Sequence, residues 1–357
     1  MTWDQTIPVR LNIQYPIIQA PMLGITTPGM VVAIAEAGGL GSLPVGGLSP
    51  ETTLQLIRKV KAGTGKPFAV NLFTHDIPAI DINETDAMQD FLEALSDEHY
   101  LGYERQDVAG FKFHTYKEQI EILVRENITA VSFTFGIPDD ESIAQLKSAG
   151  ILLIGTATSV KEALLLESKG IDMIVAQGIE AGGHRGSFLD DEPLPQVGTL
   201  ALVPQICDRV TIPVIAAGGI YNGVTIRAAF VLGAVGVQIG SAFLASPESS
   251  AIPAFKTALP GSTETDSELT RAFSGRWARG LRNSFMEAMA NSGLQIPVYP
   301  VQNSLTGKLR AYAQQKDKMQ FTSLWAGQAA AQAKPWPAAD IFNDLVRQVE
   351  AAYPQPA

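Results

Sequence analysis

Cysteine and clustered positive charge are scarce in this sequence. Its 357 residues include one cysteine, Cys207, which excludes an internal disulfide framework and favours a reducing compartment. Lysine and arginine number 26 against 36 aspartates and glutamates, so the net charge is −10, and no basic run is present. Because binding to nucleic acid needs clustered cations to neutralise phosphates, we expect no nucleic-acid partner.

The sequence also lacks a targeting signal and a clear membrane span. Its first residues, MTWDQT, contain no basic cluster, and no apolar stretch follows them, so we expect no signal peptide. Residues 228–245 carry no charge, but Gln238, Ser241 and several glycines interrupt them, which favours a helix end, a buried strand and a loop. We therefore expect a cytoplasmic protein without membrane contact, and we leave monomer and homodimer open.

What the sequence does contain is apolar material in a repeated order. Hydrophobic residues make up 46% of the chain and charged residues 17%, enough for a large buried core. Short, nearly continuous apolar segments predict strands at 17–20, 40–43, 68–72, 130–133, 152–155, 173–176, 214–217 and 236–239. Amphipathic stretches predict helices at 28–37, 50–62, 116–126, 139–149, 159–169, 198–209 and 222–232. Strands that alternate with helices indicate the α/β class.

The last two predicted strands help to distinguish a closed barrel from an open, doubly wound sheet. The strand at 214–217 is followed by Gly218-Gly219, and the strand at 236–239 is followed by Gly240-Ser241. Glycine-rich turns after two successive strands are typical of the phosphate site that follows strands 7 and 8 of a TIM barrel. We therefore predict a (βα)8 barrel, with the open sheet as the alternative.

Two segments depart from this repeat. Residues 74–115 form a predicted insertion after the third strand, with a helix at 84–96, and they should lie over the active-site face of the barrel. After about residue 262 the pattern predicts only helices and a docked tail, with helices at 281–292, 305–315 and 320–333 and proline-rich ends at 335–337 and 354–356. We predict a barrel domain over 1–262 and a C-terminal helical segment over 263–357 that completes the substrate pocket.

Loops at the carboxyl ends of the predicted strands supply the candidate binding groups. The backbone N–H groups of Gly219, Gly240 and Ser241, with the serine hydroxyl, can hold a phosphate without a lysine, although these glycines can also simply turn the chain. His184 lies in a glycine-rich loop, AGGHRG at 181–186, after the sixth predicted strand. Its imidazole suits proton transfer near neutral pH, and a structural histidine is the alternative.

Amide side chains stand at or near four predicted strand ends, at Gln19, Asn71, Gln177 and Gln238. Together they can pair with the donors and acceptors of a planar heterocycle such as isoalloxazine, although each alone can equally satisfy neighbouring backbone. The remaining histidines, His75, His99 and His114, fall in the insertion, where we expect them to be solvated. No metal-ligand spacing links them, so we expect no metal site.

In this order the motifs resemble the FMN-dependent nitronate monooxygenases, formerly called 2-nitropropane dioxygenases, and the bacterial class I members most of all. The resemblance extends over nearly the whole chain. It rests on QAPMLG at 19–24, GGLG at 38–41, GTAT at 155–158, EAGGHRG at 180–186, AAGGI at 216–220, QIGS at 238–241, FSGR at 273–276, YPVQ at 299–302 and KLR at 308–310.

The resemblance implies specific roles for residues of this chain. It implies FMN contacts at Pro21, Met22, Leu23, Asn71, Gln177, Gly182, Gly219, Gln238, Ile239, Gly240 and Ser241. It implies that His184 is the active-site histidine and that the C-terminal segment brings Tyr299 and Lys308 to the substrate. Asn303 and Ser304 stand where the family has aromatic or bulkier residues, which leaves the size of the substrate open.

The implied reaction is the oxidation of an alkyl nitronate, with propionate 3-nitronate as the implied substrate, by O2 to a carbonyl compound and nitrite. It would proceed through an anionic flavin semiquinone and serve detoxification. An NAD(P)H-dependent FMN reductase that acts on an enoyl thioester or a quinone is an alternative enzyme. A flavin-binding module without turnover and a flavin-free barrel that binds a sugar phosphate also remain open.

Overall fold

The computed structural model describes residues 3–189 and 193–351. The strands are β1 (Ile17–Gln19), β2 (Gly41–Pro44), β3 (Phe68–Phe73), β4 (Ala130–Thr134), β5 (Leu152–Ala157), β6 (Met173–Gln177), β7 (Gly183–His184), β8 (Val214–Ala217), β9 (Gly236–Ile239), β10 (Ser267–Thr270) and β11 (Ala278–Leu281). The helices are α1 (Thr6–Leu11), α2 (Pro28–Glu36), α3 (Pro50–Gly63), α4 (Ile82–His99), α5 (Lys117–Arg125), α6 (Asp140–Ser148), α7 (Val160–Ser168), α8 (Thr199–Cys207), α9 (Gly223–Val231), α10 (Pro253–Ala258), α11 (Ser284–Asn291), α12 (Val301–Leu305), α13 (Gly307–Gln315) and α14 (Ala338–Glu350). Within these residues no helix is both long and apolar enough to span a bilayer.

A parallel barrel forms the centre of the fold. Its 8 strands follow the order β1-β9-β8-β6-β5-β4-β3-β2. The two ends of this sheet meet where Gln19 N donates to Leu40 O at 2.9 Å and Leu40 N donates to Ile17 O at 3.1 Å. The predicted (βα)8 barrel is therefore confirmed, and each of its strands overlaps a predicted one.

Side chains alternate between the two faces of the barrel wall. In β3, Val70 packs outward against the helices, whereas Ala69 points into the barrel with Ile18. Helix α1 fills the opposite end of the interior, where Ile7 and Leu11 are each 0% exposed. Because apolar side chains fill the barrel there, its interior is open to a ligand only at the carboxyl ends of the strands.

The sequence analysis predicted only helices after about residue 262, but this segment also contains strands. Strands β10 and β11 pair antiparallel, and β11 also pairs with β7, where Ala278 lies opposite His184. The predicted helix at 320–333 is wrong, because this segment forms loops with short 3-10 turns at Met319–Phe321 and Ala330–Gln332. Strands of four residues are too short for an alternation to be recognised in the sequence. The pairing of β11 with β7 stabilises this small sheet through residues that lie far away in the chain.

The insertion at 74–115 packs with the C-terminal segment. Its helix α4 is longer than predicted and buries Met88 and Leu92 against Phe285, Leu305 and Leu309. These side chains form a second hydrophobic core, distinct from the one between the barrel and its helices. The insertion and the segment containing α11 to α13 therefore support each other.

The last helix, α14, belongs to the outer layer of the barrel. It packs against α2 and α9, and its Phe342 is 0% exposed. A Cβ atom on Gly39 would lie 2.3 Å from the Phe342 ring, so this glycine lets the helix approach closely. The prediction that all of 263–357 completes the substrate pocket therefore needs correction for α14, whereas the proline-rich end at 354–356 lies outside the described residues.

Candidate functional site

A cavity of about 400 Å³ lies at the carboxyl ends of the barrel strands. This volume falls within the roughly 300–1,000 Å³ of small-molecule sites. The C-terminal segment contributes seven of the lining residues, Asn303, Arg310, Gln314, Ser323, Trp325, Gly327 and Ala329. The predicted site residues that line it are Pro21, Met22, Leu23, Asn71, Gln177, Gly182, His184, Gly219, Gln238, Gly240 and Ser241.

One end of the cavity offers hydrogen-bond donors and no lysine. The backbone N–H groups of Gly219, Gly240 and Ser241 donate to no atom of the described residues. Ser241 Oγ accepts a bond from Gly327 N at 2.9 Å, which leaves the serine proton free for a ligand. Gly219 has a φ of +68°, in the left-handed region that favours glycine. Unpartnered donors of this kind fit a phosphate group.

Polar side chains at the strand ends suit a planar heterocycle. The Gln238 amide has no hydrogen-bond partner among the described residues, so its donor and its acceptor are both available. Asn71 donates from Nδ2 to Ser132 Oγ at 2.9 Å and to Thr134 Oγ1 at 3.2 Å. Both amide hydrogens of Asn71 are thereby used, and its Oδ1 is left as an acceptor for a ligand.

Gln177 differs from these two amides because its own loop uses its side chain. Nε2 donates to the His184 carbonyl at 3.0 Å, and Oε1 accepts from Gly186 N at 2.8 Å. Arg185, 1% exposed, donates to the carbonyls of Gly178 at 2.6 Å and Gln177 at 2.9 Å. Together these bonds fix the loop that carries His184. Gln177 lines the cavity as well as supporting this loop.

Three predicted site residues, Ile239, Tyr299 and Lys308, have side chains that do not line the cavity. Ile239 is 1% exposed in the core outside the barrel, because it alternates with Gln238 along β9. Lys308 is exposed on α13. Residues two apart on a helix point about 200° from each other, so Arg310 faces the cavity in place of Lys308.

His184 lies against a wall of aromatic rings and is hydrogen-bonded on one side. Its Nε2 lies 2.8 Å from Oγ of Ser274, a residue 2% exposed, and Nδ1 has no partner in the described part of the chain. Burial, together with the positive charges of Arg276 and Arg310, lowers the pKa of His184 from 6.5 to about 3. The imidazole is therefore neutral at physiological pH.

One of the aromatic residues beside His184, Phe135, has an unusual backbone conformation. Phe135 has a φ of 78°, which is rare for a bulky residue, and its ring lies 5.4 Å from the His184 ring. The Phe135 ring lies 4.5 Å from the Phe73 ring, and the guanidinium carbon of Arg276 lies 4.3 Å from the centroid of the Phe135 ring. Such conformations persist at sites where the surrounding contacts compensate for their cost.

Tyr299 lies in the same aromatic cluster, although it does not line the cavity. Its ring lies 6.3 Å from the His184 ring and 4.7 Å from the His75 ring. Burial raises the pKa of Tyr299, so its hydroxyl stays protonated and can donate a hydrogen bond. His75 was expected to be solvated, but it is half-buried in this cluster, and burial lowers its pKa.

The sequence analysis did not single out Ser274, Arg276 or Arg310. All three lie in motifs that carry the resemblance, FSGR at 273–276 and KLR at 308–310, and this was the available signal. Their roles depend on long-range contacts, since Ser274 meets a histidine 90 residues away in the chain. Among residues 3–189 and 193–351, no group of three or more His, Cys, Asp or Glu side chains is placed to hold a metal ion.

Comparison with known proteins identifies the family. A family model described as nitronate monooxygenase matches residues 7–348. The chain belongs to this family. A probable nitronate monooxygenase of Staphylococcus aureus is 43% identical over 340 residues, which cover 95% of each protein. The resemblance seen in the sequence is thus confirmed, and membership of the family supports an oxidoreductase activity.

Solved structures agree with this assignment to the nitronate monooxygenase family. The nitroalkane oxidase from Streptomyces ansochromogenes is 36% identical with a TM-score of 0.87, over 95% of this chain and 96% of that chain. FabK from Thermotoga maritima is 27% identical with a TM-score of 0.75, over 96% of this chain and 95% of that chain. The barrel and its C-terminal segment are therefore shared across nearly the full length of these proteins.

The low pKa of His184 predicts a pH dependence of stability. Below pH 6.5 the unfolded chain binds a proton at this position, and the native state does not until the pH approaches about 3. Acidification from pH 7 to pH 5 should therefore lower the free energy of unfolding by about 1–2 kcal/mol more in the wild type than in His184→Gln. Urea unfolding of both proteins measures this difference. Above pH 7 they should respond alike, and an equal loss at pH 5 would contradict the assignment.

Proposed function

We propose that this protein is an FMN-dependent nitronate monooxygenase. It oxidises alkyl nitronates, propionate 3-nitronate among them, with O2 to a carbonyl compound and nitrite. The observation that carries this proposal is a single cavity that is lined by unpartnered N–H donors suited to a phosphate, by a neutral histidine and by the guanidinium of Arg310. Membership of the nitronate monooxygenase family supports the choice of substrate class.

The chain's own groups fit FMN. Gly219, Gly240 and Ser241 would hold the phosphate, because their N–H groups and the serine hydroxyl are free to donate. Gln238 and the Oδ1 atom of Asn71 would face the polar edges of the ring system. When bound, FMN supplies the redox chemistry between the nitronate and O2, and the protein supplies position and electrostatics.

The residues around His184 suit a substrate that arrives already ionised. A nitronate is an anion, so it needs positive charge or hydrogen-bond donors and no general base. Arg310 lines the same cavity and adds a positive charge to it without being the group that contacts the nitronate. His184, with a pKa of about 3, is a weak base, but its neutral ring would donate from Nδ1 to the nitronate in the tautomer whose Nε2 accepts from Ser274 Oγ. Phe73 and Trp325 exclude water beside it, which strengthens these interactions.

The proposed reaction is tested by adding propionate 3-nitronate without oxygen to the FMN-loaded protein. We expect the spectrum of oxidised flavin to change to that of the one-electron-reduced form and to recover when O2 is admitted. A flavin reduced by NADH or NADPH, with turnover of an enoyl thioester or a quinone, would favour a reductase. A flavin that responds to neither reagent would indicate a binding module, and protein that takes up no FMN would contradict the cofactor.

The phosphate site predicts a loss of cofactor affinity in Ser241→Ala. Because the hydroxyl would donate to a charged phosphate, its removal should raise the dissociation constant of FMN about 10-fold or more. Ser241→Thr keeps the hydroxyl and should keep the affinity. Flavin fluorescence titration of the apoprotein measures both, with the exposed Ser168→Ala as the matched control. Equal affinity in Ser241→Ala and the wild type would argue against this site.

The role of His184 predicts that His184→Asn lowers kcat/KM for the nitronate. Loss of one hydrogen bond to an anion corresponds to a decrease of about 10–100-fold. Steady-state oxygen consumption at matched flavin content measures the effect, and the flavin content itself controls for damage to the loop. Unchanged kcat/KM would show that the histidine is structural.

A further inference from the structure

Arg310 is a cation in the cavity whose protein partners are all neutral. Its Nε donates to Thr306 Oγ1 at 3.1 Å, and its Nη2 donates to Asn303 O at 2.7 Å and to Asn303 Oδ1 at 2.8 Å. No carboxylate among the described residues pairs with it, and its Nη1 amino group has no protein partner there. Asn303 and Thr306 thus hold the guanidinium in place and leave its Nη1 group free to bind a ligand.

The positive charge of Arg310 lacks compensation in the described part of the chain. Burial lowers its pKa to about 10, so it is still charged at pH 7. Glu180 is the only acidic residue among those described that line the cavity, and its carboxylate accepts from Thr199 N at 2.9 Å and Thr199 Oγ1 at 2.9 Å. An unpaired charge in such a place is costly, which indicates that an anionic ligand group compensates for it.

The other anions of the proposed reaction do not account for this charge. The phosphate of FMN has its own donors at Gly219, Gly240 and Ser241. The nitronate group lies beside His184 in the proposed function, where Nδ1 of the imidazole has no partner among the described residues. Arg310 and His184 line the same cavity, so a substrate held beside His184 can extend to the guanidinium.

We propose that Arg310 binds a second anionic group of the substrate, a carboxylate, through its free Nη1 group. Arg310 would thereby be the residue that distinguishes propionate 3-nitronate, the substrate of the proposed function, from simple alkyl nitronates. This inference rests on the proposed function and assigns its substrate preference to one residue. A charge-assisted hydrogen bond from a guanidinium to a carboxylate is the interaction that would discriminate between them.

Two three-carbon substrates test this inference. Propionate 3-nitronate carries the carboxylate and 1-propyl nitronate lacks it. In Arg310→Met we expect kcat/KM for propionate 3-nitronate to fall about 100-fold, mainly through KM, and kcat/KM for 1-propyl nitronate to change less than about threefold. Lys316→Met removes an exposed positive charge just after the same helix and should leave the ratio of the two values unchanged.

A binding measurement separates this inference from the proposed function. Two compounds with an un-ionised nitro group, 3-nitropropionate with a carboxylate and 1-nitropropane without one, are titrated into the oxidised holoenzyme, and changes in the flavin spectrum give dissociation constants. Arg310→Met should weaken 3-nitropropionate alone, and Arg310→Lys, which keeps the charge, should restore part of the affinity. This result remains informative even if the wild type oxidises neither nitronate, an outcome that would reject the proposed function only.

Specific results would overturn the role of Arg310. Equal losses for the two nitronates, or equal weakening of the two nitro compounds, would mean that this guanidinium serves the nitro group or the flavin. A wild type that does not discriminate between the members of each pair would also reject it. Flavin content and circular dichroism establish that Arg310→Met is folded, and Arg310→Lys provides the same comparison if it is not.

Discussion

The shared direction of the eight barrel strands is the constraint on which the rest of the structure depends. Backbone hydrogen bonds between β1 and Leu40 close the barrel, and closure brings the carboxyl end of every strand to one rim. The side chains that point into the barrel are apolar and packed at the end covered by α1, and many of them are polar and line the cavity at the carboxyl ends of the strands. Asn71 and Gln238 are far apart in sequence, yet they face the same cavity for this reason alone.

The cavity combines weak and strong sources of electrostatic stabilisation in separate places. Backbone N–H groups provide partial positive charge where a phosphate would lie, and they require no cation. The guanidinium of Arg310 provides a full positive charge in the same cavity as His184, which burial keeps neutral. The chain as a whole has a net charge of −10, so the positive character of this cavity is a local property that composition conceals. Such a distribution suits an anionic substrate within an acidic protein.

Prediction succeeded where local sequence decides the structure and failed where distant packing does. The barrel strands and the helix at 84–96, found at Ile82–His99, follow from apolar runs and helical periodicity. The strand β11 is too short to show a period, and its pairing with β7 depends on a residue nearly a hundred positions away. The sequence analysis predicted no helix at Ala338–Glu350, where α14 forms, and the place of this helix beside α2 follows only from barrel closure.

The sequence by itself determined the barrel, the glycine-rich turns and the loop of His184, because strand periodicity and glycine conformation act over a few residues. The family resemblance also pointed to the KLR motif, but the sequence did not show which of its cations faces the cavity. That choice, Arg310 over Lys308, depends on how α13 rotates when Leu309 packs into the core beneath the insertion. Only the tertiary structure could decide it, since the rotation of a helix is set by the surface it covers and not by its own residues alone.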